Sequence, residues 1–95
     1  MRIKNYCGYG VINAKKISRT RSNGEVSLHI RVSGNHECGI HRDDEYDVAN
    51  WLVKRFDKQF TDYRSIRSMR LEDSFEKDAN GSYVDVCDYY ITYAA

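Results

Sequence analysis

The sequence predicts an α+β fold, in which an antiparallel sheet of about five strands carries one amphipathic helix on one face. Two observations lead to this prediction. Asn-Gly pairs at Asn23-Gly24 and Asn80-Gly81 are flanked by strand-like residues, and Asn-Gly supplies the positive φ angles of tight hairpin turns. One long segment between them has apolar residues at helical spacing. The predicted order is β-β-β-α-β-β, in a single domain of residues 1–95.

The first hairpin is predicted over residues 14–33, after a short strand or arm in residues 1–13. Its second strand alternates polar and apolar residues, the apolar ones being Val26, Leu28, Ile30 and Val32. Its first strand has only Ile17 as a large apolar residue, which favours a position at the sheet edge. A one-residue difference in register decides whether Arg19 and Arg21 face the core or water, and the sequence leaves both open.

A short third strand is predicted from His36 to His41, followed by a helix from about Glu45 to Lys58. The helix has an apolar stripe at three- and four-residue spacing, formed by Ala49, Leu52, Val53, Phe56 and Phe60. A single helix covers only one face of a five-stranded sheet. The second face is therefore either solvated or in contact with another molecule.

The second hairpin is predicted around Asn80-Gly81. A two-residue loop there pairs Phe75 with Val86 and Leu71 with Tyr90. Met69, Leu71 and Phe75 then share one face. The opposite face is predicted to hold Tyr83, Cys87, Tyr89, Ile91 and Tyr93.

Composition excludes several classes of protein. The chain has 15 basic and 14 acidic residues, so it lacks the overall charge of a polyanion binder. No apolar run approaches the ~20 residues of a membrane span, and the N-terminus lacks the apolar segment of a signal peptide. The three cysteines do not form an even-numbered disulfide framework, so a cytoplasmic location is expected.

Motifs for catalysis, metals and cofactors are absent from the sequence. His36, Cys38 and His41 do not have a standard zinc spacing, and the acidic residues at 43–47 suit a helix start, where the dipole favours negative charge. We therefore expect a binding protein rather than an enzyme, with neither a cofactor nor a metal.

The tyrosine-rich last strand is the main candidate surface for a protein partner. Tyrosine is enriched in interface hot spots, although cross-strand packing explains the same residues. Nearby carboxylates add a charged rim that guides encounter. The predicted partner-binding residues are Tyr83, Tyr89, Ile91, Tyr93, Asp73, Glu76, Asp78, Asp85 and Asp88.

Nucleic-acid binding by the first hairpin is the alternative, because basic side chains there suit phosphate contacts. The residues concerned are Lys15, Lys16, Arg19, Arg21 and Arg31. In the order of its elements, the segment 14–56 resembles DNA-binding domains of the ethylene-response-factor type, whose sheet enters the major groove. That family's strand pattern of tryptophans and arginines is not reproduced here. Homodimerisation through sheet faces or edge strands is a third interpretation.

The chain runs from Asn23-Gly24 through Val32, then through residues 38–44, into a helix containing Trp51-Leu52. This hairpin-to-helix segment resembles the corresponding segment of some phage anti-CRISPR proteins. The resemblance covers about 35 residues. It implies a phage-encoded inhibitor that binds a CRISPR-Cas nuclease or surveillance complex in the host cytoplasm and blocks it by steric occlusion. It transfers no functional residue to this chain.

Overall fold

The computed structural model describes residues 1–4, 11–34, 45–58 and 66–94, with the backbone alone at 45 and 46. Its elements are β1 (Arg2–Lys4), β2 (Val11–Ser22), β3 (Glu25–Gly34), α1 (Glu45–Phe56), β4 (Ile66–Lys77) and β5 (Tyr83–Ala94). An open five-stranded antiparallel sheet with one helix confirms the predicted fold class. The predicted strand from His36 to His41 lies outside the described residues, and the N-terminal strand β1 is the fifth strand observed.

The strands lie in the order β1-β2-β3-β5-β4, and every neighbouring pair is antiparallel. The C-terminal strand β5 is therefore inserted between β3 and β4. The two central strands, β3 and β5, carry most of the buried sheet residues. No helix among the described residues is long and apolar enough to cross a membrane.

The turn between β2 and β3 is the predicted type I′ hairpin. Asn23 and Gly24 both have positive φ angles, 55° and 77°, and Ser22 pairs with Glu25 across the turn. Asn and Gly tolerate this left-handed conformation better than other residues, and its twist matches that of the strands.

A β-bulge in β2 settles the orientation of its arginines. Lys16 pairs with Ile30 and Ser18 with His29, so Ile17 is an extra residue. The bulge places Arg19 opposite Leu28, on the helix-bearing face. Strand β1 pairs with β2 only at residues 11–13, so no described strand lies beside residues 15–22 on the side of β2 away from β3. The predicted edge position of this segment is confirmed.

The second hairpin differs from its prediction by one residue. Phe75 pairs with Asp85 and Leu71 with Tyr89, rather than with Val86 and Tyr90. The two strands are joined by a loop of residues 78–82. The Asp78 carboxylate holds this loop together by accepting hydrogen bonds from the backbone amides of Asn80 and Ser82, both at 2.9 Å. This side chain builds a longer loop than Asn80-Gly81 alone would form.

The one-residue difference places the tyrosines of β5 in the core. Tyr89, Ile91 and Tyr93 are each exposed by 1% or less. The prediction that they line an uncovered face is therefore wrong. They lie with Leu71 on the face covered by α1, whose buried residues are Val48, Ala49, Leu52 and Val53.

A buried carboxylate just after α1 links the helix to two strands. Asp57 accepts hydrogen bonds from the Tyr93 hydroxyl of β5 and, at 3.2 Å, from Arg19 Nε of β2. A buried charge is tolerated only when it is paired and hydrogen-bonded. Arg19 therefore has a structural partner, which the bulge at Ile17 brings within reach.

Candidate functional site

The sheet face opposite α1, here called the open face, consists of cross-strand rows of mostly polar side chains. One row pairs Ser18, His29, Tyr90 and Arg70, and the next pairs Lys15, Arg31, Asp88 and Glu72. Directly opposite residues on neighbouring strands share a face, so each row runs across four strands. This arrangement agrees with the prediction that the helix covers only one face of the sheet. The residues on the open face are, however, different from those predicted.

Asp88 is the centre of the open face. Its Oδ1 lies 2.7 Å from His29 Nε2 and 2.9 Å from Arg31 Nε. Burial alone would raise the pKa of the Asp88 carboxyl, but the hydrogen bonds from Arg31 and His29 outweigh it and hold the pKa below its ordinary value. Asp88 is only 6% exposed, so it is an internally paired charge rather than a free acidic contact.

The ring of Tyr90 is enclosed by its neighbours. It stacks on His29 with ring centroids 4.3 Å apart, and the guanidinium of Arg70 lies 4.3 Å from its centroid on a cation–π contact. Partial burial and the negative charges of Glu72 and Asp88 raise the pKa of the Tyr90 hydroxyl. A shallow depression of about 150 Å³ lies beside it, between His29 and Thr92.

The basic residues proposed for nucleic acid do not form one surface. Lys15 and Arg31 belong to the open face, whereas Lys16, Arg19 and Arg21 lie opposite residues of the core face. Arg19 is paired with Asp57 and Arg31 with Asp88. The Tyr90 ring is also occupied by His29 and Arg70, so it does not offer a flat stacking platform of the kind that single-stranded nucleic acid uses.

The end of the β4–β5 hairpin extends past the sheet. The last β3 residue paired with β5 is Ser33, opposite Val86, so residues 75–85 have no third strand among the described residues. We call this segment the hairpin arm. It carries Phe75 and Tyr83, which are 73% and 72% exposed. Their rings meet edge to face with centroids 6.4 Å apart, and Lys77 Nζ lies 5.4 Å from the Tyr83 centroid.

The predicted acidic residues gather around this aromatic pair, with the exception of Asp88. Asp85 is directly opposite Phe75, and Asp73 precedes it by two residues on the same face. Glu76 lies on the other face of the arm, opposite Val84. Asp78 is an exposed part of the loop, although its carboxylate is engaged by two backbone amides. The arm thus combines exposed aromatic area with mainly negative charge.

Phe75 is the residue of this surface that sequence reasoning missed. Its spacing predicted only that it shares a face with Met69 and Leu71. Leu71 does pack against the core, but Phe75 lies beyond the last residue that β3 pairs. No local signal marks this, because the exposure of Phe75 depends on where the pairing of β3 with β5 ends.

Cys87 is a buried structural thiol. The pKa of the Cys87 thiol is raised to about 12, mainly by burial and also by the nearby carboxylate of Asp73. The thiol is therefore protonated and unreactive near neutral pH. Among the described residues, no group of three histidine, cysteine or acidic side chains is arranged to hold a metal ion. The candidates His36, Cys38 and His41 lie outside those residues.

No protein-family model matches the chain, and no curated protein or solved structure matches it significantly.

Proposed function

We propose that this protein is a small protein-binding inhibitor that docks on a basic protein surface through the hairpin arm. The supporting observation is the exposed aromatic pair Phe75–Tyr83 on a segment that extends past the sheet. Exposed aromatic area on a small domain indicates an interaction site, because burying it is favourable only against another molecule. The arm provides the contact surface, and the sheet with its helix is the scaffold that positions the arm.

The chemistry of the partner follows from the charges of the arm. Within the arm, Glu76, Asp78 and Asp85 outnumber the single cation Lys77, and Asp73 lies just before it. A basic surface complements these carboxylates, which speed encounter from the rim while the aromatic rings are desolvated at the centre. CRISPR effectors hold nucleic acid in positively charged channels. Such an effector, implied by the anti-CRISPR resemblance, is the partner proposed here, blocked by occlusion of its channel.

The test begins with a pull-down from bacterial lysate after nuclease treatment. The baits are the wild-type chain, Phe75→Ala/Tyr83→Ala and the matched control Ile17→Ala, which shortens an exposed apolar residue of the β2 bulge. The specific partner is the protein that wild type and Ile17→Ala retain and the double variant loses. Loss of two hot-spot aromatics is expected to raise its Kd by about thirtyfold or more.

The isolated partner then decides the function. If it is a CRISPR effector, its DNA cleavage should be inhibited by wild type and by Ile17→Ala, but not by the double variant at equal concentration. Equal capture of all partners by all three baits would contradict docking through the arm. Material that disappears with nuclease treatment would instead indicate nucleic-acid binding, with affinity that falls steeply with salt.

A further inference from the structure

Strand β4 forms one edge of the sheet, and this edge is long and regular. Residues 68–77 pair with β5 without a register shift, and no described strand pairs with the other side of β4. The opposite edge is formed by the short strand β1 and, beyond it, by residues 15–22 of β2, where the bulge at Ile17 and the side chains of Lys15 and Lys16 protect it. Bulges and lysines are the usual means of preventing edge-to-edge pairing. The bulge of β4 lies at its beginning, between Ile66 and Ser68, and its single lysine, Lys77, at its end, which leaves the residues between them without either protection.

Charge is distributed along β4 with opposite signs in its two halves. The first half contains Arg67 and Arg70 and no acidic residue. The second half contains Glu72, Asp73 and Glu76, with Lys77 at its end. A strand with this polarity is complementary to itself in the antiparallel orientation, because a two-fold axis places each basic half beside the acidic half of its copy.

We propose that a second copy of this chain pairs with the edge of β4, about a two-fold axis that passes beside Leu71. Leu71 then lies opposite Leu71 of the partner subunit, and Arg70 lies opposite Glu72 of the partner subunit, twice by symmetry. The two sheets join into one continuous sheet whose open faces lie on the same side. Backbone hydrogen bonds supply the main association energy, as in other cases of strand addition.

The charges select this register among its neighbours. A shift of the pairing by two residues in one direction places Arg70 opposite the partner's Arg70, and in the other direction Glu72 opposite the partner's Glu72. Directly opposite like charges destabilise a strand pair, while opposite charges stabilise it. Within one chain Arg70 and Glu72 already form an ion pair, and both side chains are largely exposed and available to a partner.

Two charge reversals test the pairing. Arg70→Glu and Glu72→Arg each create two repulsive contacts in a homodimer, whereas a mixture of the two variants restores both attractive contacts. The control is Arg21→Glu, a charge reversal at an exposed position of β2. Sedimentation velocity over a dilution series from about 100 µM to about 1 µM is suitable, since a Kd of about 1 µM leaves mostly dimer at the upper end and a tenfold weaker pair is mostly monomer at the lower end.

Wild type and Arg21→Glu are expected to sediment as dimers. Each β4 variant alone should dissociate at least about tenfold more readily, and the equimolar mixture should recover the dimer. Circular dichroism identifies any variant that fails to fold. Monomeric wild type, unchanged dimers of both single variants, or a mixture that stays monomeric would each overturn the proposal. The pairing does not depend on the proposed inhibitor function, because neither Arg70 nor Glu72 belongs to the aromatic pair.

Discussion

Asp88 illustrates at the scale of one residue how the open face is organised. In sequence it is one of several acidic residues near the C-terminus and suggests a free negative charge. In the structure it is buried between two strands, where His29 and Arg31 donate to it and Glu72 lies directly opposite on β4. Its lowered pKa results from these donors, which outweigh its burial. Its charge therefore contributes to stability rather than to a partner-binding surface.

Asp88→Asn is predicted to lower the free energy of unfolding by about 1–3 kcal/mol at pH 7, because Arg31 and His29 lose a charged acceptor. The pKa of Asp88 is lower in the folded than in the unfolded state, so its contribution is present above the unfolded value of about 3.9 and is lost as pH falls through the folded value. Urea unfolding from about pH 7 to about pH 2 should show the difference between wild type and variant shrinking below about pH 5. A difference that stays constant over this range would contradict the prediction.

Strand β5 shows the same principle at the scale of an element. One strand contains a tyrosine on the hairpin arm, Tyr83, and two in the core, Tyr89 and Tyr93. Their neighbours account for the difference: β3 and α1 cover the second part of β5, while the described residues around the first part form only a two-stranded arm. The number of tyrosines in a strand therefore does not by itself indicate whether they lie in the core or at an interface.

Tyr93→Ala and Tyr83→Ala form a matched pair of substitutions on this strand. Tyr93→Ala should destabilise the fold by about 3–5 kcal/mol, since it opens a cavity and removes a hydrogen bond to Asp57. Tyr83→Ala should cost less than about 1 kcal/mol, the value of an exposed cross-strand pair. Urea unfolding of both variants measures the difference. Equal losses of stability would show that the burial assigned to these two positions is wrong.

At the scale of the whole molecule, the centre of the sheet is supported by packing on both sides along the strand order, whereas one end is only a two-stranded arm among the described residues. The centre, where β3 and β5 pair, is covered by α1, and the molecule reaches 44 Å in its longest dimension. The hairpin arm at residues 75–85 depends on pairing between two strands alone among the described residues. An isolated hairpin is marginally stable in water, so the binding surface proposed here is carried by the least supported part of the sheet.

Hydrogen exchange should reveal this gradient. Paired amides of β3 and of residues 86–93 in β5 are expected to exchange slowest, near the global unfolding rate, because they open only when the core opens. Amides of residues 75–85 should exchange by local opening, at least about a hundredfold faster. Mass spectrometry of peptic fragments gives the measurement. Equal protection of the arm and the centre would show that the arm is supported by further contacts.

Much of the fold was predictable because its signals are local. Alternation at Val26 to Val32 predicted a half-buried strand, and the three- and four-residue spacing after Glu45 predicted the helix to within two residues at its end. The type I′ turn at Asn23-Gly24 was predictable because its two residues supply the φ angles themselves. The candidate site was less predictable. Tyr83 and Asp85 lie together on the arm with Asp73 just before it, but the exposure of Phe75, which shares a face with Met69 and Leu71 as predicted, was not foreseen.

The sequence by itself determined the order of the elements, the apolar face of the helix and the edge position of residues 15–22 in β2, because each depends on neighbours a few residues away. Only the tertiary structure decided which tyrosines are buried. The Asp78 side chain lengthens the second loop and shifts the register of β4 and β5 by one residue, and the insertion of β5 beside β3 places Tyr89 and Tyr93 under the helix. Because side chains alternate between the faces of a strand, this one-residue shift decides which face of the sheet Tyr89 and Tyr93 occupy.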